Sequence, residues 1–126
     1  MMLNAAQADA LLDRDVPGFR AYKTATADPD SGDPSFATRC RVLVDYVAAL
    51  LRTGSKTEAT RAFDAIEVLI RNGDPHVRDV MKTCVLESLV NLSSWGKLPA
   101  EFRDYLGPDS AAFCKAWDEF TGSEGD

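Results

Sequence analysis

The residues that could do chemistry are few, and their spacing does not assemble a reaction centre. His76 is the single histidine of the chain, and the three cysteines, Cys40, Cys84 and Cys114, lie far apart in sequence. Nucleophilic triads and zinc sites need such side chains in converging groups. Every arrangement that uses an imidazole would depend on His76 alone. We therefore predict a protein that is not an enzyme and that holds no metal ion and no cofactor.

Two groups of polar residues have spacings that could form a small site. The first is a set of aspartates in one predicted loop: Asp28, Asp30 and Asp33. Their segment lacks the glycine position and the terminal glutamate of an EF-hand loop, so we predict no calcium site there. The second is Glu87 with Ser88 and Asn91, which either line a polar pocket or satisfy one another and the neighbouring helix ends. One carboxylate with no base or nucleophile beside it cannot perform acid–base catalysis, which favours the structural role.

The totals indicate one globular domain. The chain has 126 residues, of which 45% are hydrophobic and 27% charged, a balance that supports a compact core. The apolar run from Val47 to Leu51 is far shorter than the roughly 20 residues of a membrane span, and the N-terminus lacks the basic start of a signal peptide. The cysteines fall within apolar helical patterns, which indicates buried free thiols in a reducing compartment. We expect a single cytoplasmic domain over residues 1–126, with no membrane association.

The charge is unevenly distributed along the chain. The net charge is −6: residues 1–35 carry six acids and three bases, residues 36–98 seven and nine, and residues 99–126 seven and two. Nucleic-acid binding needs clustered Lys and Arg, so we predict no nucleic-acid partner. A basic protein is the electrostatically easier partner for the acidic ends, and the alternative is that these ends only maintain solubility.

The first 34 residues predict two short helices and an acidic loop. Asn4 is suited to cap a helix over residues 4–14, and Pro17-Gly18 interrupts it. The second helix begins at Phe19, so residues 1–25 form the N-terminal helices. Two Asp-Pro pairs and a glycine then indicate a surface loop over residues 26–34.

A three-helix core is predicted over residues 35–94. Ser35 caps an amphipathic helix that ends in a left-handed cap at Gly54. The next helix begins just after that glycine and ends at Asn72-Gly73. Because both connections are short, the three helices must be antiparallel neighbours.

The third helix of this core is apolar on two sides. Asp74 caps it, and Pro75 fits the first helical position. Its main stripe contains five residues: Val77, Met81, Cys84, Ser88 and Leu92. Leu86 and Val90 fall nearly opposite, and a helix with two apolar sides is usually packed centrally between neighbours. The alternative is an exposed apolar strip at Leu86 and Val90, through which copies of the chain could self-associate.

Two C-terminal helices are predicted over residues 99–121. The short first helix is stopped by Gly107-Pro108, and Asp109 is suited to cap the second. The last helix carries an aromatic stripe of Phe113, Trp117 and Phe120, with Ala116 on the same face.

Two tryptophans are candidates for either core packing or partner binding. Trp95 stands between two predicted helices, and Trp117 lies on the last helix beside Asp118 and Glu119. We expect core packing for both, but aromatic residues near acidic side chains are also the anchors that protein-binding surfaces use. Candidate partner-binding residues are therefore Asp28, Asp30, Asp33, Trp95, Trp117, Asp118 and Glu119.

The segment "GDPHVRDVMKTCVLESL" resembles the second helix of HEAT-type repeats, in its capping Asp74, the pair Val77-Arg78 and Leu89. A longer likeness covers about residues 36–106. There "LIRNGD", and "LESL" followed by Asn91, are similar to a family of small all-helical bacterial proteins, several of which resemble immunity proteins of polymorphic toxin systems. The Asp-Pro loop and the aromatic last helix depart from that pattern.

The fold that we predict is an all-α, compact antiparallel bundle of about six to seven helices, with a HEAT-like core. The resemblance implies a non-enzymatic immunity protein that binds and masks a cognate toxin, and the acidic ends of the chain favour a basic toxin domain as its partner. The alternative is a self-associating helical adaptor or scaffold subunit. In either case the sequence leaves the oligomeric state open.

Overall fold

The computed structural model describes residues 2–26 and 35–121, and these residues form an all-α bundle, as predicted. The α-helices are α1 Ala5–Asp15, α2 Pro17–Thr26, α3 Phe36–Thr53, α4 Lys56–Asn72, α5 Pro75–Asp79, α6 Glu87–Ser94 and α7 Pro108–Thr121. A π-helical segment, Val80–Leu86, joins α5 to α6 without a break, and we call residues 75–94 the central helix. A 3₁₀ helix, Ala100–Tyr105, precedes α7. No strand is present in the described ranges.

Local side-chain hydrogen bonds mark where three of the α-helices, α1, α3 and α5, begin. The side chain of Asn4 accepts from the backbone N–H of Gln7, whose own side chain accepts in return from the backbone of Asn4. The side chains of Ser35 and Asp74 likewise accept from the N–H three residues ahead. Gly54 ends α3 at φ 75°, a conformation that favours glycine. These predicted caps are confirmed, and α2 begins earlier than predicted, at Pro17.

The central helix is packed between its neighbours. It contacts α3, α4 and α7, and its buried residues belong to the same hydrophobic cluster as those of α1, α3 and α4. The largest fully buried side chains in this cluster include Phe19, Leu43, Phe63, Met81, Leu86 and Phe102. The central position predicted for this helix is therefore confirmed.

The π-helical segment changes which side of the central helix is buried. The Glu87 N–H donates to the carbonyl of Lys82, five residues back instead of four. This wider turn contains nearly one extra residue, so the face of the helix on which each later residue lies is shifted by about one position. As a result Leu86 is fully buried and Val90 is 3% exposed, whereas Cys84 is only half-buried. The alternative prediction of an exposed strip at Leu86 and Val90 is wrong, because both side chains lie in the core.

The N-terminal segment is attached to the turn before the central helix. The Leu3 N–H donates to the carbonyl of Asn72 at 2.7 Å, and the Asp74 N–H donates to the carbonyl of Leu3 at 2.8 Å. This isolated parallel bridge pairs Leu3 with Gly73. A side chain at position 73 would meet the carbonyl oxygen of Leu69 at 2.4 Å, so the close approach requires glycine.

Candidate functional site

Trp95 lies in a hydrogen-bonded turn at the end of α6 and projects from it. Its indole is 65% exposed, so the expected core packing of this residue is wrong. The turn has the hydrogen bonds of a Schellman motif: the Lys97 N–H donates to the carbonyl of Leu92 at 2.8 Å, and Gly96 adopts φ 73°. Arg52 of α3 donates to the carbonyl of Lys97 at 2.9 Å, which fixes the turn to the bundle.

The indole borders a cleft of about 300 Å³ between α3 and α6. The other residues that line this cleft are Arg41, Val44, Asp45, Ser88, Asn91 and Leu92. Arg41 and Asp45 are exposed and supply one charge of each sign. The apolar part comes from Val44 and Leu92. An exposed aromatic ring beside a cleft with both charged and apolar walls is the geometry of an anchor for a protein partner.

Two of the three polar residues singled out on the central helix, Ser88 and Asn91, line this cleft, and Glu87 does not. Ser88 and Asn91 are half-buried in the cleft, and Glu87 is half-buried outside its lining. Arg41 and Asp45 were not singled out from the sequence. They are four residues apart, which places them on one face of α3, and this spacing is the signal in the sequence. In the structure they face Ser88 and Asn91 across the cleft.

The other predicted partner-binding residues lie elsewhere. Trp117 packs partly against the core, with its ring centroid 5.8 Å from that of Phe120, whose side chain is 82% exposed. Asp118 receives two contacts from the guanidinium of Arg103, at 2.8 and 3.0 Å, and Glu119 is exposed. Neither Trp117 nor its acidic neighbours line the Trp95 cleft. The aspartates of the predicted acidic loop, Asp28, Asp30 and Asp33, lie outside the described residues.

A carboxylate from α4 caps the last helix. Glu67 is 7% exposed, and its oxygens accept from the backbone N–H of Asp109 at 3.0 Å and of Ser110 at 2.9 Å, and from the Ser110 hydroxyl at 2.8 Å. The expected cap by Asp109 is therefore replaced by one from a distant residue. Burial alone would raise the pKa of the Glu67 carboxyl, but these hydrogen bonds and nearby Arg71 outweigh it, so this pKa lies below its ordinary value.

A second carboxylate of α4 has the same role at α2. Glu58 accepts from the N–H of Gly18 at 2.9 Å and from the Tyr46 hydroxyl at 2.9 Å. A Cβ atom at Gly18 would lie 2.0 Å from that hydroxyl oxygen, so the contact requires glycine. Burial, followed by the hydrogen bond and the negative charge of Glu58, raises the pKa of Tyr46 to about 12.

The cysteines and the histidine form no joint site. All three thiols are free, and burial raises the pKa of Cys40 to about 12 and that of Cys114 to about 11. Both thiols are therefore protonated at neutral pH, and the nucleophilic form of cysteine is the thiolate. His76 is exposed with its ring centroid 6.1 Å from that of Phe36. Among residues 2–26 and 35–121, no three His, Cys, Asp or Glu side chains are arranged to hold a metal ion.

A larger cleft of about 690 Å³ lies where α4, the central helix and α7 meet. Arg71, Arg78 and Lys82 line it together with one acid, Asp109. Sequence reasoning missed this cleft. Arg78 and Lys82 are one helical turn apart, but Arg71 joins them only because the chain turns at Gly73.

The described part of the chain is an all-α helical protein, and none of its helices has the length and apolarity needed to cross a bilayer. Residues 9–122 match the family described as Domain of unknown function (DUF7674), and the chain belongs to that family. No curated protein matches the chain, and no solved structure matches it.

Proposed function

We propose that this protein is a binding module that recognises another protein through the surface around Trp95. More specifically, we propose an immunity protein that masks a cognate bacterial toxin in the cytoplasm, by covering its active or substrate-binding face. The observation that carries the proposal is the exposed indole, held by a hydrogen-bonded turn at the edge of a cleft. The resemblance of residues 36–106 to immunity proteins supplies the choice of partner.

The turn supports the proposal because it orders the anchor before binding. Ordering a loop at an interface costs free energy, and a turn whose backbone is already hydrogen-bonded reduces that cost. Tryptophan is also among the residues most enriched at the energetic centres of interfaces. The neighbouring Arg41 and Asp45 can form ion pairs at the rim of such an interface.

Charge supports a basic partner. Residues 99–126 carry seven acids and two bases, and an excess of negative charge accelerates the encounter with a basic surface. Asp118 is already bound by Arg103, so we assign steering to Glu119 and to the sequence-predicted acidic loop rather than to Asp118.

The test is co-expression with the toxin encoded next to the gene for this chain. Wild-type protein should restore growth and form a complex with the toxin domain. Trp95→Ala should weaken the complex by roughly 30-fold or more, corresponding to about 2 kcal/mol, while Phe120→Ala, which removes an exposed aromatic ring elsewhere, should have little effect. Absence of any neighbouring toxin, or equal effects of the two variants, would count against the proposal.

Steering is tested separately by rates. Replacing Asp28, Asp30, Asp33 and Glu119 with Asn or Gln should lower the association rate and its salt dependence, with little change in dissociation. Asp118→Asn serves as the comparison, because its carboxylate is paired within the protein. Association that is unchanged at low and high salt would remove the acidic residues from the proposal.

A further inference from the structure

We infer that the cleft formed by α4, the central helix and α7 binds a small organic oxyanion, a phosphate or carboxylate carried on an apolar group. This site is independent of the proposed binding of a protein through Trp95, because the two clefts share no residue. The cleft is open to solvent and has a volume of about 690 Å³, so the inference rests on the side chains that line it.

The cleft is positive in a protein that is negative as a whole. Arg71, Arg78 and Lys82 contribute three positive charges and Asp109 one negative charge, whereas the chain carries a net charge of −6. Like charges gathered in one concave surface repel each other, and an anion removes that repulsion while it gains charge-assisted hydrogen bonds.

Arg78 and Lys82 have donors available for a ligand. Arg78 donates through Nε to the carbonyl of Gly73 at 2.9 Å, and this bond orients the guanidinium and leaves its terminal nitrogens for a further acceptor. Neither residue forms an ion pair in the part of the chain that the structure describes. Arg71 lies 3.4 Å from Asp109 and 3.8 Å from Glu67, so we assign recognition mainly to Arg78 and Lys82.

Lys82 belongs to the π-helical segment. Segments of this kind are rare and occur often at functional sites, where the wider turn redirects side chains. Here the carbonyl of Lys82 accepts from the N–H of Glu87. Arg78 lies two residues before the segment begins, so the two cations stand one helical turn apart, with Lys82 within the π-helical segment.

The apolar part of the ligand is assigned to the cleft wall. Ile70, Ala112 and Phe113 line the same cleft as the cations, and Phe113 is half-buried. The first turn of α7 offers nothing further to an anion, because Glu67 already accepts from Asp109 and Ser110. The ligand would therefore be held by cationic side chains at one end and by an aromatic ring at the other.

The experiment is a titration of the isotope-labelled full-length protein, followed by its amide NMR spectrum. The probes are phenyl phosphate and hydrocinnamate, which separate phosphate from carboxylate. Inorganic phosphate tests the anion alone, and phenol tests the ring alone. We expect saturable shifts at residues 70–82 and 109–113 with the anionic aromatic probes, and weaker binding of inorganic phosphate and phenol.

Variants connect the binding to the two cations. Lys82→Gln should weaken phenyl phosphate binding roughly tenfold, the usual effect of losing one charged hydrogen bond. Arg78→Lys retains the charge but loses the planar fork, so it should also weaken binding. Lys56→Gln removes an exposed cation outside the cleft and should leave the affinity unchanged.

Three outcomes would overturn the inference. Shifts that do not saturate, or that are spread over the whole surface, would indicate non-specific screening. Equal weakening by Lys82→Gln and Lys56→Gln would remove the cleft as the site. Binding of inorganic phosphate as tight as that of phenyl phosphate would overturn the assignment of an apolar group. The mapping on the wild-type protein decides the location even if a variant does not fold.

Discussion

Glu67 and Ser110 are joined by two hydrogen bonds across 43 residues of sequence: the same carboxylate oxygen accepts from the backbone N–H at 2.9 Å and from the hydroxyl at 2.8 Å. Ser110 is 1% exposed, so this contact lies inside the bundle. It attaches the first turn of α7 to the middle of α4 and supplies the cap that α7 lacks locally.

Removing this carboxylate should be costly. Glu67→Ala leaves the buried N–H and hydroxyl of Ser110 and the partly buried N–H of Asp109 without an acceptor, and we expect a loss of about 2–4 kcal/mol in the free energy of unfolding. The measurement is urea denaturation at neutral pH. Asp64→Ala, an exposed acid on the same helix, is the matched control and should change stability by less than about 0.5 kcal/mol. A similar loss in both variants would show that the cap is unimportant.

The same contact predicts an acid-dependent loss of stability. The pKa of Glu67 is lowered in the folded protein, so its contribution is fully present above the ordinary glutamate pKa of about 4.3 and is lost as the pH falls through the lower folded value. The difference in unfolding free energy between the wild type and Glu67→Gln should therefore shrink progressively below about pH 4. Denaturation curves at a series of pH values measure this, and a constant difference would contradict it.

Gly107 should be coupled to Glu67. A Cβ atom at position 107 would lie 2.5 Å from the Cγ and Cδ atoms of Glu67, so Gly107→Ala should destabilise by about 1–3 kcal/mol. In the Glu67→Ala background the clash is absent, and the cost should largely disappear. Gly54→Ala is the control: its strain comes from φ 75° with nothing within 4 Å, so its cost should be equal in both backgrounds. If Gly107→Ala costs the same in the wild type and in Glu67→Ala, the steric clash at position 107 is not with the Glu67 side chain.

The raised pKa of Tyr46 predicts that the protein loses stability at alkaline pH. This pKa is raised to about 12 in the folded protein, compared with about 10 when unfolded, so stability is fully present below about pH 10 and falls as the pH rises toward 12. Absorbance titration of the folded protein should resolve a late tyrosine transition, assigned to Tyr46. Tyr46→Phe should remove that late transition, and its persistence in the variant would assign it to another residue.

The burial of Leu86 gives a test of the central helix. Leu86→Ala should reduce the free energy of unfolding by about 2–5 kcal/mol through cavity formation, and Leu43→Ala should do the same. Val68→Ala, which truncates a side chain 36% exposed on α4, is the control and should have a much smaller effect. If Leu86→Ser folds with wild-type stability, Leu86 is not buried, and the prediction of an exposed strip at Leu86 and Val90 would be correct after all.

The all-α class and most helix boundaries could be predicted because their causes are local. A cap at Asn4, Ser35 or Asp74 joins atoms three residues apart, so the residue types alone determine it. The same holds for Gly54, whose backbone conformation follows from the absence of a side chain.

The site residues were only partly predictable. Trp95 was correctly placed between two helices, but its exposure depends on whether a neighbouring element covers the ring, which no local pattern specifies. The basic cleft was missed because Arg71 and Lys82 belong to different helices, and their convergence requires the turn at Gly73.

The sequence by itself therefore determined the helices and their local caps, because a local cap joins residues that lie within one helical turn of each other. The tertiary structure decided the phase of the central helix after Met81, where π-type hydrogen bonds bury Leu86 and Val90. It also decided the cap of α7: a helix end needs some acceptor, but only packing could bring Glu67 within 3 Å of Asp109 and Ser110.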